Sequence, residues 1–572
     1  MGVGREVRVA VSLPRGLAEL LSLLATARAG GAYVPLDPAH PLERLTQILE
    51  DAAPQLLLTY ATSPLLAVVS PSCNVVLLDD IGAAVEGVTP QHPAADFLPN
   101  QLAYILFTSG STGRPKGIEI TRGAFSNFLS SMAHTPGMAQ EDRLLAVTTT
   151  SFDIAGLEFF LPLCVGATVV IADRNTAKDP RLLMSKIATD AITVMQATPA
   201  SWRMLLDSGW RNEGAIRVLC GGEALSPELA DRLLGGGGSI WNLYGPTETT
   251  VWSSVGRIQR GDNQITIGTP IDNTQIYILD SNLKQVPRGA EGEICIGGDG
   301  LARGYRGRAD LTAEKFVANP YSARGDRIYR TGDLGRQLSD GRFECLGRLD
   351  HQVKIRGFRV ELGEIESVLR SVVGIEEALV TVDRQSEANP RLIAYWTGST
   401  EEGSLELACW RKLPDFMHPA QYVHLAAFPL NTNGKIDRKQ LPLPMPAETG
   451  VAKALRPRSD AEMRVAAVFR DMLGIGEVPI DRDFFSLGGN SLLAAQAITR
   501  LEQEFAAELP LQAIFNNPTI ARLAATVSER ILPDSPIVVC LRPGTPAAPP
   551  LFAWLGSRST IRSRFPSPTI VK

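Results

Sequence analysis

From residue 1 to about 347, short apolar runs rich in β-branched residues alternate with stretches of helical period. Ala103–Thr108 (AYILFT), Thr168–Ala172 (TVVIA) and Ala191–Gln196 (AITVMQ) read as buried strands, and 181–188 and 200–206 read as helices. That alternation predicts an α/β architecture with largely parallel sheets. Near the start, Leu17, Leu20, Leu21 and Leu24 recur at i, i+3, i+4 and i+7, one face of an amphipathic helix. Glu19 interrupts this apolar stretch and Pro14 precedes it, which argues against a secretion signal. Glu6 stands where a myristoylation signal needs Ser or Thr. No run reaches the ~20 apolar residues that span a bilayer.

The pattern changes at 348. A basic run, Lys354-Ile-Arg-Gly-Phe-Arg359, leads into a helical stretch at 364–370, then strand-like 378–382 and 391–396, predicting a small α+β domain over 348–443. Residues 444–458, rich in Pro and Ala, read as a linker. Residues 459–530 have helical rhythm and predict a small helical bundle. Residues 531–572 carry several prolines and no sustained period, and read as unable to fold alone; Gly235–Gly238 reads as a flexible loop.

Composition narrows the partners. A chain of 572 residues exceeds one ordinary domain, and a formal charge of −5 argues against a nucleic-acid binder. Seven scattered cysteines without a CxxC pair, and six dispersed histidines, indicate neither a disulfide framework nor a metal cluster. A reducing, cytoplasmic compartment fits best, and no membrane partner is expected.

Candidate chemistry begins at Thr108-Ser-Gly-Ser-Thr-Gly-Arg-Pro-Lys-Gly117, which follows a strand. Glycines let a backbone approach phosphate oxygens, and hydroxyls and Lys116 donate to them. It is no Walker loop, because Pro115 and Gly117 occupy the positions of the second Gly and the hydroxyl. The ten residues resemble the signature of adenylate-forming enzymes, and the chain resembles an adenylation domain of a nonribosomal peptide synthetase. AGGAYVPLDP (29–38), NLYGPTET (242–249), GEICIGGDGLARGY (292–305), YRTGDL (329–334), GRLDHQVKIRGFRVELGEIE (347–366) and NGKIDR (433–438) all fall in family order.

The resemblance implies a large adenylate-forming core, a small α+β subdomain, and use of ATP and Mg²⁺. It implies phosphate contacts from Thr108, Ser109, Gly110, Ser111, Thr112, Gly113, Lys116 and Thr247, and a magnesium ligand in Glu248. Gly222, Glu223, Ala224, Asn242, Tyr244 and Gly245 would line the base pocket, with Tyr244 stacking on adenine. Asp333 would hold the ribose, with Arg348 near ribose and phosphate; Lys435 would bridge carboxylate and nucleotide, and Asp350 would be the hinge between subdomains. For the amino-acid substrate it implies a pocket of Asp153, Ile154, Leu157, Gln196, Leu219, Gly221, Leu243, Val251 and Trp252, closed by Lys435. Asp153 would pair with the ammonium, and the large apolar walls predict glycine, with alanine as the alternative.

Asp483-Phe-Phe-Ser-Leu-Gly-Gly-Asn-Ser491 resembles the attachment motif of peptidyl carrier proteins. The resemblance implies 4′-phosphopantetheine on Ser491, placed there by a phosphopantetheinyl transferase, and neighbouring synthetase domains such as condensation or thioesterase. Ser491 would start a helix, where free N–H groups favour a phosphodiester. G-G-N-S-L is not a hydrolase elbow.

Two departures from the family pattern carry expectations. Only about thirty residues precede AGGAYVPLDP, which predicts an exposed sheet edge and some unburied core. Residues 537–552 resemble the opening of a thioesterase domain that then stops. Two rival readings follow: a carrier whose adenylation region is inactive, and an acyl-CoA or aryl-acid ligase of the same superfamily.

Overall fold

The computed structural model describes residues 2–531 other than 81–96, 111–112, 214–215, 236, 263, 324, 351, 356, 384–390, 431–435, 443–456, 474, 477, 483, 485–486, 488, 490, 506, 508, 510–512 and 515–516. The expectations for the linker at 444–458 and for 531–572 fall outside those residues, except at 457–458 and at Ile531. The chain divides into two units, Met1–Ala452 with Phe484–Gln496, and Lys453–Asp483 with Ala497–Lys572.

Among the described residues, the first unit holds two seven-stranded sheets. One contains β1 (Arg8–Val11), β2 (Ala32–Pro35), β3 (Leu56–Thr59), β4 (Asn74–Leu77), β5 (Leu102–Thr108) and β6 (Lys116–Thr121), in the order β6-β5-β2-β1-β3-β4, with Gly304–Tyr305 beyond β6. The other contains β7 (Arg143–Ala146), β8 (Thr168–Ile171), β9 (Val194–Ala197), β10 (Arg217–Gly221), β11 (Ile240–Tyr244), β12 (Ser254–Ile258) and β13 (Thr269–Pro270), in the order β13-β12-β11-β10-β9-β7-β8. Parallel pairs form the body of each sheet, and antiparallel β6 and β12–β13 lie to one side. A third sheet, built from Thr274–Leu279, Gly292–Gly298, Phe316–Ala318, Arg327–Gln337 and Phe343–Arg348, is antiparallel throughout. The expectation of largely parallel sheets therefore holds for the first two only.

Helix Ala155–Val165 joins the sheets. Its sequence is apolar apart from Glu158, and Leu157, Phe159, Phe160 and Leu161 pack with Tyr33 and Tyr104 of the first sheet and Leu219 and Leu243 of the second, while Leu163 and Cys164 near its end are exposed. The N-terminal helix, Leu17–Arg28, differs from its sequence reading: Leu20 and Leu23 are buried, whereas Leu17 and Leu21 are 64% and 54% exposed. Glu19 turns inward instead and accepts from the Thr150 hydroxyl at 2.6 Å. β1 lies inside its sheet, paired with β2 and β3; among the described residues β4 stands at one end of that sheet, with Val75 and Leu77 partly exposed.

Residues 353–428 form the α+β region: a hairpin (Val353–Ile355, Phe358–Val360), then helices Leu362–Arg370 and Glu402–Lys412 against a three-stranded sheet. In the second unit, Val465, Val468, Phe469 and Leu473 of helix Asp460–Leu473 and Leu523 and Val527 of helix Ile520–Ile531 are buried at helical spacing. No helix among the described residues is long and apolar enough to cross a membrane.

Candidate active site

β5 and β6 pair with Thr108 opposite Lys116, so the Gly- and hydroxyl-rich segment is the connection between two strands. Its groups face carboxylates from the α+β region. The Gly110 N–H donates to Glu364 at 3.0 Å, and Ser109 Oγ donates to the Arg359 carbonyl at 2.7 Å. Gly113 N–H closes the turn on Gly110 O at 3.1 Å. Thr108 Oγ1 is buried with no hydrogen-bond partner. Ser111 and Thr112 lie outside the described residues. Lys116 Nζ stands 3.6 Å from Glu248 and 3.7 Å from Glu361. Burial and Arg359 push the Lys116 ammonium down, against the two carboxylates. Carboxylates on these donors, beside an orphaned hydroxyl, make this a set of groups that fits phosphate.

Glu248 sits in the turn Thr247–Thr249 after β11 and is fully buried. It accepts from Tyr305 Oη at 2.7 Å and from Arg359 Nη1 at 2.7 Å. Burial alone would raise its carboxyl; the Arg359 guanidinium and Lys116 ammonium outweigh that and hold it far below the usual carboxylate range. An ionised carboxylate suits a hard cation such as Mg²⁺; here its cationic neighbours are Arg359 and Lys116. Thr247 hydrogen-bonds Asp153, linking this turn to the start of helix Ala155–Val165.

Asn242, Tyr244 and Gly245 run along β11 and its end, and Gly222, Glu223 and Ala224 bend away from β10. Asn242 Nδ2 is turned to Thr266 O at 2.8 Å. The buried Tyr244 hydroxyl donates to Asp333 at 2.6 Å, and Arg348 reaches the other Asp333 oxygen at 2.9 Å while also pairing with Asp350. The hairpin of the α+β region covers this surface: Gly357 N–H donates to Glu223, Lys354 Nζ lies 6.0 Å from the Tyr244 ring centroid, and Phe358 stacks on Phe152 at 5.6 Å.

The positions assigned to the amino-acid pocket converge. Ile154, Leu157, Leu219, Leu243, Val251 and Trp252 share one buried cluster, and Gln196 and Leu219, like Gly221 and Leu243, are register partners on neighbouring strands. A Cβ on Gly221 would lie 2.6 Å from Trp252 Cη2, so only glycine lets the indole lie there. Burial raises the Asp153 carboxyl to about 6, with Glu248 adding to the rise and Thr247 opposing it. Asp153 also borders a cavity lined by Tyr33, Tyr104, Gly156 and Phe160.

In the carrier motif, Gly489 N–H donates to Phe484 O at 2.9 Å, and a Cβ on Gly489 would collide with the Phe484 ring and carbonyl, leaving no room for a side chain. This tight turn delivers the chain to helix Ser491–Phe505. Asn490 and the Ser491 side chain lie outside what is described, as does Lys435.

Residues 1–306 match the family described as AMP-binding enzyme. The chain belongs to the AMP-binding enzyme family. In this AMP-binding enzyme a second match, to the phosphopantetheine attachment site, covers 464–527. A dimodular nonribosomal peptide synthase of Bacillus subtilis (strain 168) is 44% identical over 531 residues, covering 92% of this chain and 22% of the relative. Tyrocidine synthase 2 of Brevibacillus parabrevis is 39% identical over 539 residues, covering 92% and 15%. The chain thus spans a minor part of these relatives' length. Among solved structures it resembles holo-AB3403, a four-domain nonribosomal peptide synthetase bound to AMP and glycine (39% identity, TM-score 0.56, covering 92% of this chain and 39% of that one). It also resembles holo-PA1221, a synthetase protein with adenylation and PCP domains (29% identity, TM-score 0.77, covering 92% and 88%). The AMP-binding enzyme is an adenylation region of synthetase type followed by a carrier region.

Sequence reasoning missed Arg359, Glu361, Glu364 and Tyr305 as neighbours of the phosphate groups. The basic run through Arg359 was visible as a change of texture, but nothing in it named Glu248, 111 residues away, as a partner.

Proposed function

We propose that this chain activates an amino acid, glycine, with ATP and transfers it to a 4′-phosphopantetheine thiol on Ser491. The observation carrying the reading is the pairing of a buried carboxyl, Asp153, bonded to Thr247 beside Glu248, with a pocket walled by Trp252 over Gly221. Asp153 would hold the substrate ammonium, and the indole would leave space for little more than hydrogen as a side chain. Likeness to a synthetase bound to AMP and glycine supports the same choice.

Bound ATP supplies the α-phosphorus that the amino-acid carboxylate attacks, with pyrophosphate leaving. On this reading the loop 108–116 and Thr247 hold the phosphates, Glu248 would hold the Mg²⁺ that offsets their charge, Asp333 and Arg348 hold the ribose, and Tyr244, Asn242 and the 222–224 bend flank the base. Lys435 brings a cation to the meeting of two anions, which lowers the barrier where charge develops. Asp350 would be the hinge that lets the 348–443 region exchange positions between adenylation and transfer. The division into 1–347, 348–443 and a carrier at 459–530 belongs to the same proposal, as do a cytoplasmic location, modification by a phosphopantetheinyl transferase and work beside further synthetase domains.

The test is ATP–pyrophosphate exchange across the amino acids, with fatty and aryl acids alongside, followed by the mass of the loaded chain. Glycine should dominate; Lys435→Ala should lower exchange about 10²–10³-fold, as losing a charge-stabilising donor does. Ser491→Ala should keep exchange and lose pantetheine uptake. Exchange driven by a fatty or aryl acid, or near-normal exchange in Lys435→Ala, sinks the reading.

A further inference from the structure

The indole wall is held from a distance. Trp252 follows Thr250 and Val251, two non-glycine residues with φ of 63° and 66°. Such a backbone is strained, and it persists only where surrounding contacts impose it. The indole Nε1–H donates to Gln196 Oε1 at 2.8 Å. Gln196 is fully buried, and its Nε2 donates to Ile154 O at 2.8 Å and to Glu158 Oε1 at 3.3 Å. A carbonyl and a carboxylate only accept, and an indole N–H only donates, so the Gln196 amide can sit one way round.

Glu158 has no exposure to solvent. Besides Gln196 it accepts from Val147 N at 2.8 Å, Thr148 N at 2.9 Å and Thr148 Oγ1 at 2.6 Å, and Arg15 Nη2 lies 3.5 Å from it. Every one of these neighbours is a donor, the environment of an ionised carboxylate, although burial pushes its carboxyl up. Arg15 is fixed in turn by Ala172 O at 2.7 Å and by the Phe159 face, 5.5 Å from its centroid. The chain of contacts crosses four segments: Arg15, Glu158, Gln196, Trp252.

We propose that Glu158 and Arg15 are positioning residues for substrate size: they orient the Gln196 amide, which pins the Trp252 indole over Gly221 as the wall that excludes a side chain. The inference rests on the amino-acid reading of the pocket and adds residues that would not touch the substrate. Glu158→Gln keeps the shape but replaces one accepting oxygen by a donating NH₂. Once its remaining oxygen serves the Val147 and Thr148 N–H groups, it faces Gln196 Nε2 with a donor. The repulsion pushes the amide, still bonded to the Ile154 carbonyl, off the position from which its Oε1 accepts from the indole N–H.

The full chain would be titrated with the sulfamoyl analogues of glycyl- and alanyl-adenylate, and exchange KM and kcat measured for glycine and alanine. One methyl is worth about 10–200-fold in such a pocket, so loosening the wall in Glu158→Gln should cut the glycine-over-alanine ratio about tenfold. The change should fall on KM, not kcat. In a Trp252→Phe background there is no N–H to hold, and Glu158→Gln should leave the ratio as that background sets it. An unchanged ratio in Glu158→Gln overturns the proposal, and so does an equal loss in both backgrounds, the mark of a purely structural role. If Glu158→Gln does not fold, Gln196→Met removes the same acceptor and carries the same cycle. If the unaltered chain binds neither analogue, the amino-acid reading itself fails and this inference falls with it; binding with an unmoved ratio defeats the inference alone.

Discussion

The two ends of the site are built on different terms. At the end proposed for phosphate the partners are mostly charged and come from far along the chain: Lys116 and the Gly110 N–H from the strand connection, Glu248 from the β11 turn, Arg359, Glu361 and Glu364 from the α+β region. At the end proposed for the amino acid the groups lie within residues 15–252 and are packed into one core, with a single amide, Gln196, joining the polar atoms. Charges can trade one ionic partner for another at little net cost, because each exchange leaves every group compensated. A close-packed wall cannot, since moving a ring opens a void. The first end is suited to change partners during a reaction cycle, and the second to keep its shape through it.

The largest expected effect tests the fixed end. Asp153 is almost wholly buried, and its folded value of about 6 stands above the ordinary 3.8. The folded state therefore holds that proton more tightly than the unfolded one. Ionised Asp153 costs stability above pH 6, and the cost fades as pH falls through 6 and is gone below 3.8. A shift of about two units corresponds to roughly 3 kcal/mol. Asp153→Asn should thus raise the unfolding temperature at pH 7.5, by less as pH is lowered to 5, while amino-acid kcat/KM drops about 10²-fold or more with the loss of a buried charge partner. In the unaltered chain, kcat/KM for the amino acid should fall about tenfold per pH unit below about 6. A destabilised Asn variant, or a flat profile through pH 6, would break the claim that this end stores an uncompensated charge for the substrate.

A smaller effect tests the exchangeable end. Glu364 gives one oxygen to Gly110 N–H and the other to Arg44 at 2.5 Å, both side chains being buried. If the carboxylate occupies a donor meant for phosphate, the two compete. Glu364→Gln leaves Arg44 without its anion and weakens the docking of the 353–370 segment. The KM for ATP in pyrophosphate exchange should fall about three- to tenfold, and aminoacyl transfer to the carrier should slow by a similar factor, since a population shift gives to one state what it takes from the other. A raised KM for ATP would mean that Glu364 supports nucleotide binding, and the contrast between the two ends would lose its basis.

The sequence carried the two ends unequally. Strands β5 and β8, helices 180–189 and 199–207 and the α+β order after 348 could be read because apolar period and β-branched runs are local signals. The connection between β5 and β6 could be read as a candidate phosphate loop because close backbone approach demands Gly and hydroxyls side by side. The third sheet was not, for antiparallel strands with long loops lack the alternation that marks βαβ units. Leu17 and Leu21 were misassigned because period alone cannot weigh a buried Glu19 against leucine. Long-range partners, such as Glu364 for Gly110 across 254 residues, leave no periodic trace at all. Nothing local in the sequence singles out Arg15 or Glu158; only the fold brings them together.

The smallest expected effect separates two cations of one loop. Arg114 and Lys116 are neighbours in sequence, and either could be taken for the phosphate ligand. Arg114 is half exposed and pairs with Glu50 and Asp51 at 3.1 and 3.2 Å, on the outside of the molecule. Exposed pairs contribute about 0–1 kcal/mol, because water already solvates both ions and ordering two long side chains costs entropy. Arg114→Ala should therefore shift the unfolding temperature by no more than a degree or two and leave exchange within about twofold of normal. Lys116 instead points inward between Glu248 and Glu361, where water screens little. Lys116→Ala should depress exchange far more than Arg114→Ala does. If the two variants lost activity equally, burial would not be what distinguishes a phosphate-end cation from a surface one, and the direction in which the side chains point would have been given too much weight.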